Sequence, residues 1–424
     1  MKNNKYNNNN NNDKYEHPSV QMGTLPNGMR IIHMPFASEI SYCGVAVDTG
    51  TRDEYADEQG MAHFVEHLLF KGTTKRKAHH INNRMENVGG ELNAYTTKEE
   101  TFIFSTFLTE YFERAVELLG DVVCNSTFPN NQIEKECEVI LDEINSYEDF
   151  PSELIYDDFE NQVYANSDLG HYILGTSETI SSFDNKKVKI FFKRQYRPHN
   201  MVFFSFGKTP FAKVMKLCEK YFQFDNDLSE PVKERIVPIH NKSTIQILDK
   251  DTSQAHVMLG QYSSDMFNDN RFALYLLNNI LGGGNASSRL NNSLREKNGL
   301  VYNVESIVST YTDTGLFSVY FASDKKHIER CLKLINKEMQ LLCEKPLTAS
   351  QLAIAKRMYK GHMGIASQNN ESVLLRMGKS FLHYNDYLSL SEMFNKIDMI
   401  EATDLQDIAN RLFNNGEFMQ LRYV

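Results

Sequence analysis

Two histidines and a glutamate stand close together in His63-Phe64-Val65-Glu66-His67. In a helix, at about 100° per residue, His63 and His67 lie about 40° apart and Glu66 shares their sector. Two imidazoles one turn apart can converge on one metal ion, and a carboxylate beside them can reach a water on that ion. The donor set suits Zn2+ with an open coordination position, and its order inverts that of the His-Glu-x-x-His zinc helix. A catalytic zinc takes a third protein ligand. The stretch from Asn131 offers Glu136 and Glu143, seven residues apart and so on nearly one helix face. An apolar stripe of Ile133, Cys137, Ile140 and Ile144 lies opposite. One glutamate could bind the metal and the other orient a ligand. On spacing alone, the pair reads more simply as a solvated helix face.

These side chains need elements to hold them. Thr24 to Ile32 reads as strand, Asn-Gly hairpin turn and strand, and Ser41 to Val47 as a further strand. From Gly60 to Phe70 the apolar period becomes helical, and Gly72 stops it. Glu91 to Leu108 is β-branched and aromatic, hence strand, while Thr109–Val123 and Asn131–Tyr147 have helical periods. Strands interleaved with helices without strict alternation predict an α+β fold, a mainly antiparallel sheet covered by helices.

A proline-punctuated polar stretch, Phe224 to Ser243, divides the chain into similar halves, and the halves resemble each other. Asn82-Asn83-x-Met85 with Gly90 matches Asn291-Asn292-x-Leu294 with Gly299 at an offset of 209. Phe102-x-Phe104-Ser105 then finds Leu316-Phe317-Ser318, and Gln132-Ile133 finds Gln351-Leu352. The expected organisation is an Asn-rich disordered tail over 1–19, a first domain over 20–228, a linker over 229–243 and a homologous second domain over 244–424. In the second copy Phe272 and Leu276 stand where His63 and His67 do, and Ala355 and His362 replace Glu136 and Glu143. Only the first copy is therefore expected to hold metal.

Composition narrows the function classes. The 424 residues are 41% hydrophobic, enough for real cores, and 45 Lys+Arg against 55 Asp+Glu give a net charge of −10. That balance argues against a nucleic-acid or anionic-membrane binder, and no apolar run approaches a membrane span. Six scattered cysteines read as reduced thiols. With no signal or transit peptide recognised, the expected location is cytoplasmic. Gly282-Gly283-Gly284 lacks the Gly-Lys-Ser/Thr ending of a phosphate loop and is read as a helix end.

Together, His63-x-x-Glu66-His67 and the run from Glu136 to Glu143 resemble the pitrilysin/insulysin (inverzincin) zinc metallopeptidases. In that family the third ligand follows the second histidine by about 76 residues, and Glu143 lies 76 after His67. Leu25-Pro26-Asn27-Gly28, Gly90-x-x-Asn93-Ala94-Tyr95-Thr96, Ser287-Ser288-Arg289-Leu290 and Arg295-Glu296-Lys297-x-Gly299-Leu300-x-Tyr302 are similar to the short-chain branch, which includes the β subunit of mitochondrial processing peptidase. The likeness runs from about Val20 to Val424.

The resemblance implies one zinc per chain on His63, His67 and Glu143, with Glu66 as general base and Glu136 as support. It implies a substrate strand at Asn93-Ala94-Tyr95 that pairs with peptide backbone. It implies that Arg295 and Tyr302 grip the substrate carbonyl and oxyanion. Long members of the family place that Arg/Tyr pair opposite the metal across a chamber. A chain of half the length is expected to form a homodimer in which Arg295 and Tyr302 act in trans on an unfolded peptide. The competing reading is a non-catalytic structural or binding subunit of the same fold, which intact motifs disfavour.

Overall fold

Alternating apolar side chains build two sheets. The computed structural model describes residues 19–224, 231–414 and 417–424. The expected tail, apart from residue 19, and the first two residues of the expected linker lie outside them. The first sheet contains β1 (Gln21–Thr24), β2 (Arg30–Pro35), β3 (Ile40–Val47), β4 (Glu91–Thr96), β5 (Thr101–Leu108) and β6 (Met201–Gly207), in the order β1-β2-β6-β3-β5-β4. The second contains β7 (Ile245–Leu248), β8 (Ala255–Ser263), β9 (Val301–Thr310), β10 (Gly315–Ser323) and β11 (Met419–Tyr423), in the order β7-β11-β8-β10-β9. Neighbours are antiparallel except β2 with β6 and β7 with β11. With β1 set aside, the two orders match strand for strand, and the single parallel pair falls in the same place. The fold is α+β, and one topology is used twice.

Helices cover both sheets. Along the first half run α1 (Met61–Leu69), α2 (Ala78–Glu86), α3 (Phe112–Asn125), α4 (Asn130–Glu148), α5 (Pro151–Val163), α6 (Ser177–Ser181), α7 (Asn185–Gln195) and α8 (Phe211–Tyr221). Along the second run α9 (Arg271–Gly282), α10 (Ile328–Glu344), α11 (Ala349–Ala366), α12 (Asn370–Tyr384), α13 (Leu390–Asp398) and α14 (Ala402–Phe413). One core lies between the first sheet and its own helices, and a second between the later sheet and α9, α10 and α14.

The other face of each sheet is covered by a helix from the opposite half. Val373, Leu374, Met377 and Phe381 of α12 pack on Ile32, Ala46, Phe102, Val202 and Phe204. Ile155, Phe159 and Val163 of α5 pack on Met258, Leu316, Tyr320 and Leu421. Burying each such side chain contributes roughly 1.5–3 kcal/mol, so the exchange fastens the halves together. Gly378 permits the approach, because an added Cβ would stand 2.8 Å from the Phe204 ring.

Three local expectations change. Glu91–Leu108 is a hairpin, not one strand: β4 and β5 pair in register through the turn 97–100. That turn lacks glycine and proline, and its buried charges are satisfied by distant segments. Lys98 donates to the His171 carbonyl, Glu99 pairs with Arg52 at 2.6 Å, and Glu100 pairs with His383 at 2.7 Å and Lys379 at 2.8 Å. The first hairpin is also wider than a two-residue Asn-Gly turn. Leu25 and Gly28 close a turn with Pro26 second, and Gly28 takes φ +93° before Met29 rejoins Leu25. Lastly, the repeat slips by one residue within the strands. Phe102 and Leu316 both face an exchanged helix, but Phe104 faces α12 whereas Phe317 faces the opposite core.

All six cysteines are unpaired, and no helix among the described residues is long and apolar enough to cross a membrane.

Candidate metal centre and substrate groove

Met61, Phe64, Val65, Leu68 and Leu69 sink α1 into the first core, which leaves His63, Glu66 and His67 on the stripe facing α4 and β4. The helix start is fixed by Glu54, a buried carboxylate that accepts from the Gly60 and Ala62 N–H groups at 2.9 and 2.8 Å. Gly60 itself sits at φ +91°, and a Cβ there would lie 2.8 Å from the Gly175 backbone. Ile133 and Ile140 dock α4 on the same core. Glu136 is buried, so it is no solvated-face residue, while Glu143 stays 44% exposed.

Ligand atoms of His63, His67 and Glu143 all lie within 4.8 Å of one another, the one such set found among the described residues. The two imidazoles are 4.6 Å apart and inclined at 63°. His67 Nδ1 meets Glu136 Oε2 at 3.2 Å, and Lys71 Nζ meets the other Glu136 oxygen at 2.7 Å. A carboxylate only accepts, so Nδ1 carries the proton, and Nε2 faces Glu143 Oε2, 4.0 Å away. Thr96 Oγ1, at the end of β4, donates to Glu66 Oε2 at 2.5 Å.

Electrostatics match this division of labour. Burial, reinforced by His67, pushes the His63 pKa down to about 3, keeping a neutral imidazole; its Nδ1 is buried with no partner among the described residues. Burial also pulls on His67, but the Glu136 bond and the nearby Glu66 and Glu143 charges raise its pKa overall. Burial raises Glu66, against the Thr96 bond and His67. Glu136 goes the other way, since His67 and Lys71 outweigh its burial and lower it. A dication fits here. It meets one neutral imidazole, one imidazole oriented by a carboxylate, and an exposed carboxylate, in a field that already favours positive charge at His67.

Beside the centre runs a groove of about 520 Å3 lined by Glu66, His67, Lys71, Asn82, Asn93 and Ala94, among others. Among the described residues β4 pairs only with β5, leaving its outer backbone edge free along this groove. Tyr95 turns its ring away and stacks on Phe102 at 5.0 Å, so only its backbone is offered. Arg295, on a short π-helical segment (Asn291–Glu296), and Tyr302, on β9 and 67% exposed, are linked to the three ligands by no hydrogen bond or ion pair among the described residues. Local sequence patterns did not point to Lys71, and Thr96 stood at the end of the Gly90–Thr96 motif with no role assigned. Lys71 stands four residues after His67, a spacing that could have flagged it.

The site joins a candidate metal centre to an open groove and a free strand edge. Residues 33–177 match the family described as insulinase (peptidase family M16), and residues 182–359 match the peptidase M16 inactive domain. The chain belongs to peptidase family M16. It is 30% identical to a protein of Bacillus subtilis named as an uncharacterized zinc protease, over 95% of this chain and 98% of the relative. A Rickettsia felis protein of the same description is 31% identical, over 94% of this chain and 96% of its own length. The fold is similar to a solved peptidase M16 inactive domain from Pseudomonas fluorescens (TM-score 0.88, 20% identity, 96% and 97% of the two chains). It is similar also to a protease from Helicobacter pylori (TM-score 0.86, 22% identity, 96% and 100%).

Proposed function

We propose that the protein is a zinc-dependent endopeptidase or oligopeptidase that hydrolyses unfolded peptides, with one zinc per chain on His63, His67 and Glu143. The observation that carries this is the convergence of those three ligands beside Glu66, at the free edge of β4. Zinc held by these residues would supply Lewis-acid chemistry for hydrolysis of a peptide bond. Glu66, kept in place by Thr96, accepts the proton of that water and returns it to the leaving amine. Glu136 holds the His67 tautomer, and Lys71 holds Glu136. The β4 edge at Asn93, Ala94 and Tyr95 pairs with substrate backbone and so reads an extended chain more than its side chains.

Arg295 and Tyr302 are free of side-chain partners in their own chain among the described residues, which suits a role on another subunit. In this reading a homodimer encloses a chamber, and each chain's Arg295 and Tyr302 stabilise the oxyanion formed at the partner's metal centre, a contribution of roughly 2–4 kcal/mol each. The reading also takes residues 20–228 and 244–424 as two homologous domains joined by a linker, and a cytoplasmic location. Mixing Glu66→Gln with Arg295→Ala protein tests the shared site. Activity toward an unstructured peptide, absent from each alone, returns in the mixture; a mixture as inactive as its parts contradicts sharing. Cleavage that resists a chelator contradicts the zinc mechanism.

A further inference from the structure

The second half keeps a pocket where the first half keeps its metal centre. Tyr275 of α9 stands at the repeat position of Glu66, next to Phe272 and Leu276. Thr310 ends β9 as Thr96 ends β4, each opposite the first residue of the following strand. The Tyr275 hydroxyl lies 3.2 Å from Thr310 Oγ1, the same contact that Glu66 makes with Thr96. Both halves make the contact, with a phenol in place of the carboxylate and apolar residues at the two histidine positions.

Around Tyr275 opens a cavity of about 610 Å3 between α9, α11, α12 and α13. Its walls include the rings of Phe272, Tyr359 and Tyr384, and its rim is cationic. Arg271 lies over Phe272 and Tyr384 at 5.1 and 5.2 Å, and Lys396 lies 5.9 Å from the Phe272 centroid. Arg376 donates to Tyr387 and to the Leu388 carbonyl. None of these three cations has a carboxylate partner among the described residues. Lys379 is matched by Glu100, and Asp386, the one acid in the lining, accepts from the Tyr387 N–H. An aromatic chamber with unmatched cations takes an apolar group that carries an anion. The pocket also adjoins the end of β9, whose outer edge pairs with nothing among the described residues. A free strand edge leading to such a pocket suits a peptide rather than a small anion.

We propose that this pocket binds the C-terminal carboxylate of a peptide whose last side chain is apolar, tethering substrate or product away from the metal centre. The proposal rests on the peptidase reading, but its test does not depend on turnover. Calorimetric titration of full-length, zinc-loaded Glu66→Gln protein compares Ac-Ala-Ala-Phe-OH with Ac-Ala-Ala-Phe-NH2. The acid is expected to bind at least about tenfold tighter, as one charged contact predicts. Adding Arg271→Gln or Lys396→Gln is expected to remove that preference and leave amide binding in place. Lys396 is exposed, so its variant folds without difficulty. Equal binding of acid and amide overturns the proposal. So does a preference that survives both substitutions, because the carboxylate then sits on the metal centre. Inorganic phosphate that displaces the acid as well as unlabelled peptide acid does would reduce the pocket to a general anion site and overturn it equally.

Discussion

α1 and α9 hold the same place in two copies of one topology, and they treat polarity in opposite ways. α1 buries His63 and Glu66 and half-buries His67 around a shared point. α9 puts Phe272 and Leu276 at the two histidine positions, with Leu276 fully buried. The second copy shows that the architecture is complete without polar ligands. The first copy therefore carries a load: an unpartnered buried imidazole nitrogen and a buried carboxylate each cost stability until something satisfies them. The site is an addition to the fold, and its strain is confined to one half.

The sharpest way to break that contrast is to remove the proposed base. Glu66→Gln keeps the shape and the Thr96 contact, and peptide turnover by zinc-loaded protein is expected to fall ~10³-fold. His362→Ala, at the exposed counterpart of Glu143, should change turnover by less than about twofold. Comparable losses in the two would erase the difference between the halves.

The next effect concerns the seam where the halves meet. Glu100, in the first half, is buried against Lys379 and His383 of α12, whose pull overcomes burial and lowers its pKa to about 2. A depressed carboxylate stabilises the fold above its ordinary pKa near 4.5, and that contribution is lost as pH falls from there toward 2. The loss is of order 3 kcal/mol. The gap between wild type and Glu100→Gln in chemical denaturation should therefore narrow by about 2 kcal/mol from pH 7 to pH 3. A constant gap would contradict the linkage.

Smaller effects refine the comparison within the metal centre. Glu136→Gln should weaken zinc binding about 10- to 100-fold in competition with a chelating dye, because His67 loses its orienting carboxylate. An unchanged affinity would return Glu136 to a purely structural role. His63→Leu, which borrows the second half's solution, should stabilise the metal-free protein by about 1 kcal/mol in urea unfolding. Destabilisation would mean that His63 Nδ1 is satisfied after all.

Much of this was legible in the sequence because the informative contacts are local or periodic. His63, Glu66 and His67 share one helix face, Glu136 and Glu143 share another, and the repeat aligns α1 with α9. The remainder depends on segments far apart in the chain. The turn 97–100 escaped because Lys98, Glu99 and Glu100 look like a solvated charge run, yet each is buried by a different distant partner. The exchange of α5 and α12 was equally hidden, since amphipathicity says that a face is covered but not by which half. Thr96 is one polar residue at a strand end, and only the fold brings it to Glu66. The stretch read as a linker has no regular element over 231–243, but its Arg235 binds Asp48 and Asp53 of the first half, so it is fastened rather than free.

The central claim is that the first half alone holds the metal. Zinc per chain, measured by atomic emission after exhaustive dialysis, tests it directly for wild type, His67→Leu and His362→Ala. One zinc in wild type and in His362→Ala, with none in His67→Leu, is the expected result. Two zincs in wild type, or zinc retained by His67→Leu, would contradict it.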